Sequence, residues 1–346
     1  MAHTVPAEVE PVTRERRAPL RGGPVPQTIR AAPYSVAAEV PANRLTSAEL
    51  APRVGTTEDW IVSRTGIRSR PTADPDERLS DFAARVGAAA LKRAGVDPID
   101  VDLVIAATMT QDELTPNTAP LVAHEIGAHR AGAYDIGAAC TAWLSGASIA
   151  TAQIETGRSR WVLVIGADFI SRINNWEDRR IAPLFADGGG AVVFGPATGE
   201  YGAVGPIVLG SDGSGGGRAI FAPHEDRTLQ MDGTEVYRHA VVRMSESALA
   251  AVERAGMTFD EIDLFVFHQA NSRITRAIGE RLGLDPERVV DNIEKLGNSS
   301  AGTLPLALAA AEADGRLRPG TRVLLAAFGA GFTFGGGVIE WGGNGA

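Results

Sequence analysis

Three side chains in this 346-residue sequence stand where covalent chemistry can be assembled: Cys140, His268 and Asn298. Cys140 is the single cysteine, and Gly137-Ala138-Ala139 before it are small enough for a tight strand-to-helix turn. At a helix start, free N–H groups and the dipole favour a thiolate. The position therefore predicts a thiol pKa below its ordinary value of about 8.5 and a working nucleophile. A buried small hydrophobe is the competing reading of a lone cysteine. His268 follows the apolar strand pattern Ile262-Asp-Leu-Phe-Val-Phe267 and so emerges at a strand's carboxyl end, where open α/β sheets place their sites. Its alternative is a hydrogen-bonded structural histidine. Asn298, in the turn Gly297-Asn-Ser-Ser-Ala-Gly302, reads either as a member of the same site or as the cap of the next helix.

The elements that must bring these residues together are written twice. Arg93-Ala-Gly-Val-Asp-Pro-Ile-Asp-Val-Asp-Leu-Val-Ile105 lies against Arg254-Ala-Gly-Met-Thr-Phe-Asp-Glu-Ile-Asp-Leu-Phe-Val266 at an offset of 161 residues. Each copy reads as a helix end, a glycine stop and a buried strand. At the same offset Trp161-Val-Leu-Val-Ile165 matches Arg322-Val-Leu-Leu-Ala326, and the Cys140 turn matches the Asn298 turn. Gly188-Gly-Gly190 recurs as Gly335-Gly-Gly337 at an offset of 147, which predicts an insertion of 14 residues between about 168 and 187. The pattern predicts an α/β fold of two like halves, residues 29–200 and 201–346, packed about a pseudo-twofold axis that lets the Cys140 and Asn298 loops meet. Residues 1–28 mix proline, glycine and charge without periodicity and read as a flexible extension; Arg14, Arg16, Arg17 and Arg21 within it suit an acidic partner or plain solvation.

Composition bounds the possibilities. With 44% hydrophobic and 22% charged residues the chain reads as a soluble globular protein. No run of 18 apolar residues offers a membrane span, and no apolar segment near the start reads as a secretory signal. A net charge of −9 argues against nucleic acid as a partner, so any phosphate-bearing ligand must meet a local basic patch. One cysteine excludes an intramolecular disulfide and points to the reducing cytoplasm.

From about residue 29 to Trp341 the sequence resembles the β-ketoacyl-acyl carrier protein synthase III branch of the thiolase-like condensing enzymes. The resemblance is carried by Glu58-Asp-Trp-Ile-Val-Ser-Arg-Thr-Gly-Ile-Arg68, Ala138-Ala-Cys140, Asp178-Arg-Arg-Ile-Ala-Pro-Leu-Phe-Ala-Asp-Gly188, His268-Gln-Ala-Asn-Ser-Arg273, Gly297-Asn-Ser-Ser300 and Ala327-Phe-Gly-Ala-Gly-Phe332, in family order. It implies a five-layered αβαβα fold, a homodimer, and decarboxylative condensation of an acyl-CoA starter with malonyl-acyl carrier protein. It needs no cofactor or metal beyond the acyl-CoA substrate. By resemblance Cys140 is acylated, His268 and Asn298 donate hydrogen bonds to the malonyl-derived enolate, and the N–H groups of Cys140 and Ala330 hold the tetrahedral oxyanion. Trp60 and Arg179 match the positions that sandwich adenine; Arg64 and Asn271 match the pantetheine entrance. Phe185 and Phe328 match the pantetheine and acyl path, with core packing as their alternative, and Arg273 matches a position facing the acidic carrier protein. Taken without the family, the segment around Glu58 suggests only a helix start, and Arg172 to Arg180 only a solvated arginine run.

The sequence departs from the family pattern at Ala330, which replaces a glycine, at Ala142 and Trp143 after the cysteine, at Thr115, where a bulky residue often reaches the partner's acyl pocket, and at Arg180. Thr115 predicts a wider or more polar acyl pocket than one built for acetyl and leaves room for priming a polyketide. The runner-up activity is an acyltransferase of the same fold that moves the acyl group to a hydroxyl or amine without decarboxylation; the intact Cys140, His268 and Asn298 set weighs against it and against a non-catalytic subunit. A dinucleotide-binding oxidoreductase is disfavoured because no Gly-x-Gly-x-x-Gly follows a first strand.

Overall fold

The computed structural model describes residues 29–214 and 219–343, so the predicted extension over residues 1–28, with its four arginines, lies outside the described residues. The first part of the chain runs β1 (Ala31–Glu39), β2 (Asn43–Thr46), α1 (Ser47–Leu50), α2 (Glu58–Thr65), β3 (Ser69–Thr72), α3 (Leu79–Ala94), β4 (Leu103–Ala107), α4 (Thr118–Glu125), β5 (Gly132–Ile136), α5 (Ala142–Glu155), β6 (Val162–Phe169) and β7 (Asp187–Pro196). The second runs β8 (Ala203–Val204), β9 (Val208–Ser211), β10 (Ile220–Phe221), β11 (Gln230–Met231), α6 (Gly233–Arg254), β12 (Leu264–Phe267), α7 (Ser272–Leu282), α8 (Ile293–Leu296), α9 (Thr303–Ala313), β13 (Arg322–Gly329) and β14 (Thr333–Glu340).

The repeat appears as topology. The first sheet has the order β1-β7-β6-β4-β5, and the second has β12-β13-β14 with β8 and β9 both pairing β14. In each, two parallel neighbours (β4 with β6, β12 with β13) are followed by an antiparallel strand, β7 or β14. The broken pair β8 and β9 stands where β1 stands in the first sheet. The counterpart of β5 is reduced to a single bridge between Phe265 and Val289. Register is kept to the residue: β4 and β12 begin at Leu103 and Leu264, and α5 and α9 at Ala142 and Thr303, each pair 161 apart. Residues 170–186 separate β6 from β7, whereas only 330–332 separate β13 from β14, which is the predicted insertion of 14 residues.

The inner strands are apolar on both faces, and β4, β6, β12 and all of β13 but Arg322 are buried, as strands covered on both sides must be. The middle layer holds α5 and α9, whose Trp143, Leu144, Leu304 and Leu308 pack with Val164 of the first sheet and Val266 and Leu325 of the second. An outer layer of α3 and α4 covers the first sheet through Phe82, Val86 and Val122, and α6 and α7 cover the second through Met244, Ala248 and Ile278. The result is five layers, αβαβα. Each fully buried large apolar side chain stabilises it by roughly 1.5–3 kcal/mol. Among the described residues no helix is long and apolar enough to cross a membrane.

Candidate active site

Cys140 sits in a 3-10 turn, Ala139–Thr141, that leads directly into α5. Its counterpart 161 residues on is the turn Ser300–Gly302 leading into α9. Both turns open on a left-handed residue without being glycine: Ala139 has φ 46° and Ser300 φ 52°. Such backbone is sparsely populated and persists only where the surroundings enforce it, a common condition at functional sites. The enforcement is visible at Gly329, the last residue of β13, where a Cβ would lie 2.8 Å from the Cys140 nitrogen. The end of β13 presses on the nucleophile turn and fixes the direction of the Cys140 N–H.

Asn298 is held from both sides. Its N–H donates to the Leu184 carbonyl at 3.0 Å and its carbonyl accepts from Ala186 at 2.9 Å, which ties the loop to the inserted segment of the first half. Its Oδ1 accepts the Ser300 N–H at 2.8 Å. The side chain therefore closes a turn onto Ser300 instead of capping α9, which has no side-chain cap. With Oδ1 committed, the Nδ2 donor is left for the cavity that Asn298 lines.

His268 follows β12 and is 2% exposed, and burial depresses its pKa to about 3, so the ring is neutral at physiological pH. Nδ1 lies 2.6 Å from Thr303 Oγ1, and the same oxygen is 3.1 Å from the Ser300 carbonyl. A hydroxyl has one hydrogen to give. The Thr303 hydroxyl can donate to the Ser300 carbonyl or to Nδ1, and the ring tautomer follows from that choice. The ring's Nε2 has no protein partner among the described residues. His268 and Asn298 thus line the same cavity, each with a nitrogen that no other described side chain engages.

The Cys140 thiol departs from expectation. Burial pushes it up to about 12; the Ser300 hydroxyl and its own backbone N–H pull it down, and the charge of Asp168 raises it. The helix start does not lower this thiol as the sequence led us to expect, because removal from water outweighs the dipole of a helix that begins two residues later.

All eleven residues nominated from sequence line one cavity of about 1050 Å³. Cys140, His268, Asn298, Phe185 and Phe328 form its buried end, while Arg64, Arg179 and Arg273 are exposed at its mouth. Trp60 is set there by α2, which Thr57 caps by accepting the Trp60 N–H at 3.2 Å. The indole carries Arg64 at 4.4 Å and Arg179 at 5.6 Å, so a base sliding between Trp60 and Arg179 must displace a guanidinium. Arg180, in contrast, is bound to Asp178, and Arg172 to Asp112. Asn271 caps α7 through Arg273 N and also donates to the Arg64 carbonyl at 3.0 Å, joining the two sides of the mouth. Ala330, outside the left-handed region, lines the same cavity.

A second cavity of about 410 Å³ also reaches Cys140, between residues 109–114 and 220–229. Its lining by Met109, Leu114, Ile170, Ile173, Phe221 and Leu229 is largely apolar, with Gln111, His224 and Arg227 at its polar side. Sequence reasoning overlooked Ser300, Thr303 and Asp168. Asp168 had a visible signal, a carboxylate three residues after Ile165 in an otherwise apolar buried strand. Among the described residues no group of three or more His, Cys, Asp or Glu could hold a metal ion.

The chain is similar in sequence and in fold to known proteins. Residues 134–213 match the family model "3-Oxoacyl-[acyl-carrier-protein (ACP)] synthase III", and residues 252–341 match that of its C-terminal part. The β-ketoacyl-[acyl-carrier-protein] synthase III of Symbiobacterium thermophilum is 42% identical over 316 residues, covering 88% of this chain and 96% of the relative. Synthase III 2 of Streptomyces coelicolor is 45% identical over 296 residues, covering 85% and 89%. Among solved structures, the synthase III of Thermus thermophilus superposes with a TM-score of 0.86 at 41% identity, covering 90% of this chain and 99% of that one. The priming β-ketosynthase of the R1128 polyketide pathway superposes with 0.88 at 35% identity, covering 93% and 99%.

Proposed function

The chain belongs to the 3-oxoacyl-[acyl-carrier-protein] synthase III family, and from that premise we propose how its own residues carry out condensation. It is a condensing enzyme that initiates fatty acid or polyketide synthesis. In our reading it is an acyltransferase, and Cys140 attacks the thioester carbonyl of an acyl-CoA, the C–S bond to CoA breaks, and the acyl group stays on sulfur. CoA enters by the larger cavity, with adenine at Trp60 and Arg179 and the pantetheine arm passing Arg64, Asn271, Phe185 and Phe328. Malonyl-acyl carrier protein follows, its acidic surface meeting Arg273. The bond to CO₂ breaks and its electron pair forms an enolate whose oxygen accepts from His268 Nε2–H and Asn298 Nδ2–H. The new carbanion attacks acyl-Cys140; the N–H groups of Cys140 and Ala330 hold the oxyanion until the thiolate leaves and the 3-oxoacyl product is released. No cofactor is called for.

One observation carries this reading: a thiol, a neutral imidazole and an amide, all buried, line the end of a cavity whose mouth holds an indole beside two guanidinium groups. A neutral imidazole suits an enolate, since a developing oxyanion gains roughly 3–4 kcal/mol from each well-placed donor. The smaller cavity is the primer pocket. At about 30 Å³ per heavy atom on the scale of liquid water, its volume of about 410 Å³ holds a primer several times the size of acetyl. The protein works in the cytoplasm as a homodimer joined along β5, a sheet edge that leaves Tyr134 38% exposed. Incubation with a panel of acyl-CoAs and malonyl-carrier protein tests the activity. CO₂ release matched by 3-oxoacyl product supports condensation; acyl transfer to a hydroxyl or amine with no CO₂ refutes it.

A further inference from the structure

The smaller cavity has a charge pattern that an apolar chain does not require. In a protein of net charge −9 its lining holds Arg172, Arg227 and His224, and no carboxylate among the described residues. Arg172 is engaged at 3.1 Å by Asp112, which is not part of the lining. Arg227 has neither an ion pair nor a side-chain hydrogen bond among the described residues, and the side chains of His224 and Gln111, which line the cavity with it, make no hydrogen bond there either. The backbone sets this group in place. Arg227 N–H donates to the Pro223 carbonyl at 2.9 Å and Leu229 N–H to the Ile173 carbonyl at 2.8 Å, so the turn is closed on itself and tied to the segment after β6. Between these ties Arg227 holds left-handed backbone, φ 55°, which is disfavoured for a residue with a Cβ. The turn is thereby divided: Asp226 and Thr228 line the larger cavity, while His224, Arg227 and Leu229 line the smaller. The acid goes to one cavity and the cation to the other.

We propose that the primer is an acyl group ending in a carboxylate, the half-thioester of a short dicarboxylic acid, and that Arg227 binds that carboxylate with His224 and Gln111 beside it. The inference rests on the reading of this cavity as the primer pocket. An uncharged chain reaching Arg227 takes water from an unpartnered guanidinium and returns no hydrogen bond. A carboxylate instead offers two acceptors that match the guanidinium fork. Met109, Ile170, Ile173 and Leu229 enclose the methylene part of the chain. The chemistry at Cys140 is unchanged: the thioester bond to CoA breaks, the bond to the Cys140 sulfur forms, the thiol proton leaves with CoA, and the far carboxylate stays intact. A reaction that converts one end only of a dicarboxylic acid to its CoA thioester must supply this primer. The first product carries a 3-oxo group at one end and a carboxylate at the other.

Competition between matched thioesters tests this. Succinyl-, glutaryl- and adipyl-CoA are each mixed in equal amounts with the isostere in which isopropyl replaces the carboxylate, and the mass of the Cys140 peptide at early times reads which acyl group was taken. Wild type should take at least one of the three carboxylates about 10-fold faster than its isostere, the scale of one charge-assisted pair. Arg227→Asn, chosen because asparagine tolerates left-handed backbone, should lose that preference while accepting the isostere no more slowly than wild type does. Arg227→Lys, which keeps a cation, should retain part of it. A wild type that favours the isostere in all three pairs, or an Arg227→Asn enzyme with an unchanged ratio, overturns the proposal. So does slower CO₂ release from malonyl-carrier protein by Arg227→Asn already carrying the isostere, since the guanidinium would then serve the extender's carboxylate and not the primer's. A wild type that takes no acyl group from any CoA thioester overturns the acyl-cysteine reading itself, whereas one that takes the isosteres and refuses the carboxylates overturns the assignment of the primer alone.

Discussion

On the proposed mechanism two side chains decide whether this site stabilises an enolate, and both do so as neutral donors. The Asn298 amide is oriented by Ser300 N–H and the His268 ring by the Thr303 hydroxyl. Asn298→Ala should therefore reduce CO₂ release about 100- to 1000-fold, the usual loss for one oxyanion donor, with acyl-Cys140 still forming on intact-mass analysis. Thr303→Val should cost a smaller part of the same step, and Thr303→Ser should restore it, because serine keeps the hydroxyl. Burial of His268 has a stability consequence as well. The folded ring binds a proton only near pH 3, whereas the ordinary value is 6.5, so between these values the unfolded chain holds the extra proton. Stability must fall as pH drops from about 6.5 toward 3. Urea midpoints of wild type and His268→Gln at pH 7 and pH 5 should show a steeper decline for wild type. At this scale the type and chain position of Cys140, His268 and Asn298 were legible because strand ends and helix starts are written in local pattern. The thiol pKa was not, since desolvation depends on what covers the sulfur, and Ser300 and Asp168 reach it from other elements.

Elements supply the enforcement. The paired turns at Ala139 and Ser300 hold disfavoured backbone because β13 ends against one and the first-half segment Leu184–Ala186 straps the other. Gly329→Ala would drive a Cβ into the Cys140 nitrogen at 2.8 Å. It should cost about 1–3 kcal/mol in thermal unfolding and depress acylation more than it depresses CO₂ release. The segment from β10 to β11 forms one wall of the smaller cavity, the proposed primer pocket, through Phe221 and Leu229. Leu229→Trp should shift preference toward shorter primers in a competition between acyl-CoAs of different length. The repeat offset located the turns, and the change from 161 to 147 located the insertion. What the sequence left unseen was that this insertion, residues 170–186, carries Leu184 and Ala186 to the Asn298 loop and Arg179 to Trp60. Those are contacts across the two halves, with no local periodicity to announce them.

The whole molecule places its candidate site between two copies of one architecture: Cys140 from the first, His268 and Asn298 from the second. Hydrophobic patterning made the halves legible because each keeps the same strand order, yet it did not reveal that β1 has a broken counterpart or that β5 has almost none. The asymmetry leaves β5 as an uncovered edge with Tyr134 exposed, and a dimer formed there should be weakened by Tyr134→Arg, seen as a lower mass in light scattering after size exclusion. In the proposed mechanism Cys140 is the residue that carries the acyl group. Intact-mass and peptide mapping after incubation with acyl-CoA alone measures this: one acyl group on the Cys140 peptide of wild type and none on Cys140→Ala is the predicted result. An unmodified wild type, or an acyl group found on any other residue, would contradict it.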